Sequence, residues 1–186
     1  MLKSERLSKD FFTTFMASGS LNQEPPLSIT LCSNTSLLKL IHDDMKSVYP
    51  DNRVVFAIKD ARNFLFKIDE DLLRIFFVGF LKLMETVDSN HFSIAFSSSV
   101  IKENLLFSFH FPLKLNEHII SLLNTKKLII MDNSDKSLFS SFFVSGLNIL
   151  EKHFGMKFTL AEDLTSIVFS FPVKNHMIDD GHITLD

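Results

Sequence analysis

Apolar and polar positions follow three rhythms along this chain, and each rhythm predicts an element. Phe92, Ile94 and Phe96 alternate with Ser93, Ala95 and Ser97, and Leu105, Phe107, Phe109 and Phe111 alternate with Leu106, Ser108 and His110. A period of two sends neighbouring side chains to opposite faces of a strand. These stretches are therefore read as the arms of a hairpin, joined near residues 100–104, with one face on a core. A helical period runs from Ser33 or Asn34 to about Val48, with Leu37, Leu38, Leu40, Ile41, Met45 and Val48 on one side. It returns over residues 137–154, with Leu138, Phe142, Phe143, Leu147, Ile149, Leu150 and Phe154 inward and Gly155 as the C-cap. The third pattern, residues 67–87, is apolar on nearly every side: Leu72, Leu73, Ile75, Phe76, Phe77, Val78, Phe80, Leu81, Leu83 and Met84. A helix apolar all round lies inside a domain. Asp69, Glu70 and Asp71 at its start complement the helix dipole, and Arg74 and Lys82 mark it as too short and too charged to span a bilayer. This stretch is read as the central helix.

Shorter signals complete the series. Strands are expected over residues 27–32 and 53–59, an extended piece over 64–66, and a helix over 115–124. A buried apolar segment is expected over 127–131, followed by a polar turn, DNSDKS. A closing strand pair is expected over 156–161 and 166–173, around the polar turn EDLT, with Pro172 ending it. Ahead of all this, residues 4–18 read as a short amphipathic helix with Leu7, Phe11, Phe12, Phe15 and Met16 on one side, ended by Gly19. Pro25 and Pro26 stiffen the linker that follows. The chain thus divides into an N-terminal helix and linker (1–26), one domain (27–174) and a polar, flexible tail (175–186). The order of elements predicts an α+β fold, a two-layer α/β sandwich with a mixed sheet of about five or more strands and helices on one face.

Composition narrows the function. The chain has 186 residues, 46% hydrophobic, and 21 of them are Phe, which is ample for one large core. A formal charge of −3 with mixed signs gives no basic footprint for nucleic acid. Cys32 is the only cysteine, so neither a disulfide nor a cysteine metal cluster is available, and a reducing cytoplasm is the expected location. The first residues, MLKSERLSKDFF, lack the apolar core of a secretory signal, and no stretch reads as a membrane span. The seven His show no metal spacing, and no phosphate-cradling glycine loop or nucleophile elbow is present. No cofactor is expected.

The order strand, helix, strand, central helix, hairpin, helix, long helix, hairpin resembles the ATP-binding domain of sensor histidine kinases, within the ATPase family that includes gyrase. Asp69 stands where that family's opening Asp stands, and Gly146–Leu147–Asn148–Ile149 resembles its glycine-leucine helix start. The closing stretch KHFGMKFTLAEDLTSIVFSFPV resembles its last helix end and strand pair. Working members carry an Asn-x-x-x-Asn-Ala pattern on the central helix, and the second Asn binds magnesium. Counted from Asp69, those positions here are Gly79, Leu83 and Met84. Leucine offers no oxygen to a metal that requires oxygen ligands. After the hairpin, FHFPL stands where an adenine-binding Asp-x-Gly motif is expected, and Gly146 alone remains of the lid glycines. The chain is also similar to the degenerate ATPase-like second domain of bacterial histidine phosphotransferases, which helps dock a response regulator.

These resemblances imply a non-catalytic docking module in two-component signalling, without ATP binding. Its expected partners are a response regulator or histidine kinase, with a possible homodimer and with Phe11, Phe12, Phe15 and Met16 as the contact surface. Two stretches keep an enzymatic alternative open. In IHDDMKSVYP, His42 followed by Asp43 resembles a phosphoacceptor box, as in a histidine phosphotransferase. In LIIMDNSDKS, Asp132 resembles an adenine-binding Asp, as in a divergent ATP-binding histidine kinase. An unrelated cytoplasmic adaptor or chaperone is the third reading.

Overall fold

The computed structural model describes residues 26–49, 54–58, 64–87, 94–101, 104–126, 135–172 and 177–179. Among the described residues, eight strands form two sheets. The larger is a five-stranded mixed sheet made of β2 (Val54–Ile58), β4 (Ile94–Ile101), β5 (Asn104–His110), β7 (Ser166–Pro172) and β6 (Lys157–Leu160), in that spatial order. Only β2 and β4 run parallel. The smaller is an antiparallel sheet with the order β1 (Ile29–Ser33), β3 (Phe64–Asp69), β8 (Met177–Asp179). The helices among the described residues are α1 (Asn34–Val48), α2 (Glu70–Val87), α3 (Glu117–Thr125) and α4 (Asp135–Phe154).

The alternation expected of the second hairpin arm holds along β5, whereas β4 buries Ser97 and Ser98 together with Ile94 and Phe96. Leu105, Phe107 and Phe109 of β5, and Ile167, Phe169 and Phe171 of β7, all turn to one buried face. The helices lie on that face. Phe77 of α2 sits 5.0 Å from Phe107 and 5.3 Å from Phe109 between ring centroids, and Phe80 sits 5.3 Å from Phe109. The core is thus a layer of Phe rings between α2, α4 and the larger sheet, each worth roughly 1.5–3 kcal/mol on burial. The α+β two-layer sandwich with a mixed sheet is the architecture observed, with the smaller sheet as an addition.

Local chemistry sets the ends of the elements. The Ser33 hydroxyl accepts from the Ser36 N–H at 3.0 Å and caps α1. Asn116 caps α3 by accepting from the His118 N–H at 2.8 Å. Gly155 ends α4 with φ of 64°, the left-handed conformation that glycine adopts without strain.

The central helix starts later than its charge pattern suggests. Lys67, Ile68 and Asp69 extend β3, because they continue the strand alternation from Phe64, and α2 begins at Glu70. The long helix α4 begins at Asp135, inside the stretch expected as a turn. Met177–Asp179, expected within a flexible tail, forms a strand that pairs with β3. The N-terminal helix expected over residues 4–18, the apolar segment 127–131 and Asp132 lie outside the described residues.

Candidate functional site

The face of α2 that the sequence singled out packs against α4. Gly79 is buried beneath the Phe142 ring, so close that an added Cβ would stand 2.7 Å from Phe142 Cδ1. The contact is reciprocal one turn away. A Cβ on Gly146 of α4 would stand 2.9 Å from Phe76 Cδ2 of α2. Each helix therefore carries one glycine notch that receives a Phe of the other. Phe143 stacks on both Phe76 and Phe80, with centroids 5.4 and 5.2 Å apart. Leu83, one turn beyond Gly79, is 0% exposed, and Met84 is buried.

The end of the hairpin adds to this wall. Phe111, in the stretch that stands where an adenine-binding carboxylate is expected, packs its ring 6.2 Å from Phe80. Its backbone N–H donates to the Thr165 carbonyl at 2.8 Å, and that of Leu115 donates to the Leu164 carbonyl at 2.8 Å. The connection is thereby tied to the β6–β7 turn. Among these described residues the face between α2, α4 and Phe111 presents hydrocarbon. Magnesium requires oxygen ligands, and phosphate requires donors or positive charge. Gly79, Leu83, Met84 and Gly146 do not fit a magnesium nucleotide, and no step through one follows from them. Among the described residues there is also no group of three or more His, Cys, Asp or Glu that could hold a metal, and no helix long and apolar enough to cross a membrane.

His42 and Asp43 are half-buried and exposed on α1, and the His42 Nδ1 lies 3.1 Å from the Asp43 carboxylate. The structure thus brings this pair together, and places it on a helix that ends at Val48. Next to it, Asp44 holds the Arg74 guanidinium through two contacts of 2.6 and 2.9 Å. That hydrogen bond to Asp44 holds the guanidinium pKa above its usual value. Asp71 lies 3.3 Å from the same guanidinium. Asp69 is buried and spans two elements. One carboxylate oxygen accepts from the Leu72 N–H at 2.9 Å and the other from the Ser28 N–H at 2.8 Å. Phe11, Phe12, Phe15 and Met16, like Asp132, lie outside the described residues.

Sequence reasoning missed two polar contacts. His118 of α3 places its Nε2 3.1 Å from the hydroxyl of the buried Ser140 in α4. Tyr49, just past α1, donates to the Glu85 carboxylate at 3.2 Å, while Lys82 sits 5.0 Å from the Tyr49 ring centroid and 2.9 Å from Glu85. The signal for the first was a serine on the inward side of an apolar helix. The signal for the second was the sole tyrosine at a helix end.

This arrangement of sheet and helices is the fold of the catalytic, ATPase-type domain of histidine kinases. Full-length ShkA, solved in complex with AMPPNP, matches with a TM-score of 0.57 and 13% identity over 91% of this chain and 36% of that one. The nucleotide-free catalytic domain of ThkA matches with a TM-score of 0.55 and 12% identity over 79% of this chain and 99% of that one. AdeS of Acinetobacter baumannii matches with a TM-score of 0.51 and 9% identity over 98% of this chain and 78% of that one. Identities at this level establish the fold alone. No protein-family profile and no curated protein sequence matches the chain.

Proposed function

We propose that this chain is a non-catalytic, histidine-kinase-like domain that docks a protein of two-component signalling and binds no ATP. One observation carries the reading. At the positions where working members place their asparagines, Gly79 is covered by the Phe142 ring and Leu83 is wholly buried. A response regulator or a histidine kinase is the partner, in the cytoplasm, and the aromatic cluster Phe11, Phe12, Phe15 and Met16 is the contact surface. The resemblance of the sequence pattern to the degenerate domain of histidine phosphotransferases is in keeping with the same role.

The test is a thermal melt with AMPPNP and magnesium. A ligand that binds only the folded state raises its melting temperature by mass action. No shift is expected up to millimolar nucleotide, and a rise of several degrees overturns the proposal. The partly accessible His42–Asp43 pair favours one other reading, a phosphotransferase that receives a phosphoryl group on the imidazole. Incubation with a phosphorylated response regulator separates the two. Label on His42, lost in His42→Ala, would establish transfer in place of docking alone.

A further inference from the structure

The smaller sheet is open along β1. That strand pairs with β3 through five residues, and among the described residues it has no strand on its other side. Alternate residues of a strand turn their N–H and C=O groups to opposite edges, so this side carries a row of backbone groups ready to pair. Natural edges are blunted by charge or proline. β6, an outer strand of the larger sheet, begins with Lys157. β1 has no such guard. Residues 27–33, LSITLCS, carry no charge, proline or glycine, and Ile and Thr favour extended backbone. Ile29, Thr30 and Leu31 are exposed in succession, so both faces of the strand are open at its start.

The face beside this edge is mixed, and the mixture defines its occupant. Ile29 is 55% exposed and Leu31 is 48% exposed. Register puts Asp69 beside Ile29 and Lys67 beside Leu31. The Asp69 carboxylate is buried and already accepts from the Ser28 and Leu72 N–H groups. Lys67 is exposed and forms no ion pair among the described residues. The surface therefore joins two apolar side chains and one unneutralised cation to an open backbone edge. A helix bonds its own N–H and C=O groups internally and cannot satisfy that edge, whereas an extended chain does. Antiparallel pairing is the more stable per residue. A residue of the added strand opposite Leu31 would lie two strand spacings, about 10 Å, from Lys67, within the joint span of a Glu and a Lys side chain. We propose that the open edge of β1 takes up an extended segment of a partner protein as an added antiparallel strand, with an apolar residue beside Ile29 and a carboxylate beside Leu31 that reaches Lys67. This surface is separate from the N-terminal aromatic cluster, and its use does not depend on the absence of nucleotide binding.

The probe is the peptide acetyl-Thr-Glu-Thr-Val-Thr-Val-Thr-amide, which antiparallel pairing can set with its Glu opposite Leu31 and a Val opposite Ile29. It is titrated into the isotope-labelled full chain and followed by nuclear magnetic resonance. The amide signals of residues 28–33 are expected to shift saturably by millimolar peptide, and no shift there overturns the proposal. Two forms of the peptide, N-methylated on alternate residues, separate edge pairing from contact with the face. One should bind as the parent does and the other at least about tenfold more weakly, because alternate N–H groups point to opposite edges. Equal binding of the two overturns it. Lys67→Glu should weaken the parent peptide about threefold or more and strengthen, by a similar factor, the peptide with Lys in place of its Glu. Affinities unchanged in Lys67→Glu also overturn it. A dimer of the chain that the peptide disperses, seen by light scattering, would make a second copy the occupant and overturn the assignment to a partner protein.

Discussion

At the scale of single residues, the glycine notches decide what the α2–α4 contact can hold. Gly79→Asn would drive a Cβ into the Phe142 ring, where contact would be 2.7 Å. Overpacking of this kind costs about 1–3 kcal/mol, so urea unfolding should show a loss of that size. The loss should be smaller in a Phe142→Ala background, with a coupling of about 1 kcal/mol or more in the double-mutant cycle. Gly79 was legible as a departure from the family pattern, and Phe142 as a core residue. That one seats on the other was not legible, because helix facing depends on the relative rotation of two elements 63 residues apart. Cys32 supplies a second prediction. Burial, then the nearby Glu70 charge, pushes its thiol from the usual 9.0 up to about 12. The native thiol should react with alkylating reagents far more slowly than in the unfolded chain. A folded pKa above the unfolded one stabilises below pH 9, and that stability is lost as pH rises from 9 towards 12. Melting temperatures of Cys32→Ala should therefore fall less steeply than those of the parent over that window.

At the scale of elements, Asp69 is the corner of the fold. It ends β3, caps α2 through the Leu72 N–H, and fastens the start of β1 through the Ser28 N–H. Asp69→Ala removes both acceptors and is expected to cost about 1–2 kcal/mol in chemical denaturation, whereas Asp69→Asn keeps one acceptor oxygen and should cost less. The acidic cluster at residues 69–71 was read correctly as a helix start, yet the boundary fell three residues late of the expected one. Lys67 and Ile68 satisfy both patterns locally, and pairing with Leu31 and Thr30 of β1 decides for the strand. Strands β5 and β7 were legible almost residue by residue, because burial alternates strictly along them and one face is covered by helices. Where a strand is short and its described neighbour is distant in sequence, as for β8 beside β3, the local pattern carries no pairing information.

At the scale of the whole molecule, the described residues form two sheets, and membership in one or the other was not visible in the linear pattern. β1, β3 and β8 come from three separated parts of the chain, and only register sorts them from the strands of the larger sheet. The mixed sheet and its helical layer were legible, since apolar periodicity marks which face of each element is inward. The resemblance to a nucleotide-binding fold was legible through order and spacing, whereas the filling of the α2–α4 seam by Phe rings required the packed structure. One prediction belongs to this scale. The paired change Gly79→Asn with Leu83→Asn should leave AMPPNP without effect on the melting temperature, because Phe76, Phe80 and Phe143 still fill the seam. A nucleotide-dependent rise in that variant would show that two side chains alone separate this chain from a nucleotide binder.

The chain contains no tryptophan, and Tyr49 is its only tyrosine. That residue is 2% exposed, hydrogen-bonded to Glu85 and lies beneath Lys82, at the place where the end of α1 meets the last turns of α2. The molecule therefore carries one tyrosine fluorophore, fixed at a single junction and excited apart from the phenylalanines on the long-wavelength side of their absorption. Its near-ultraviolet dichroism reports tertiary order at that one corner. A tryptophan-bearing partner that settles close by would quench it through excitation transfer, so docking can be timed on the native chain without attaching a dye.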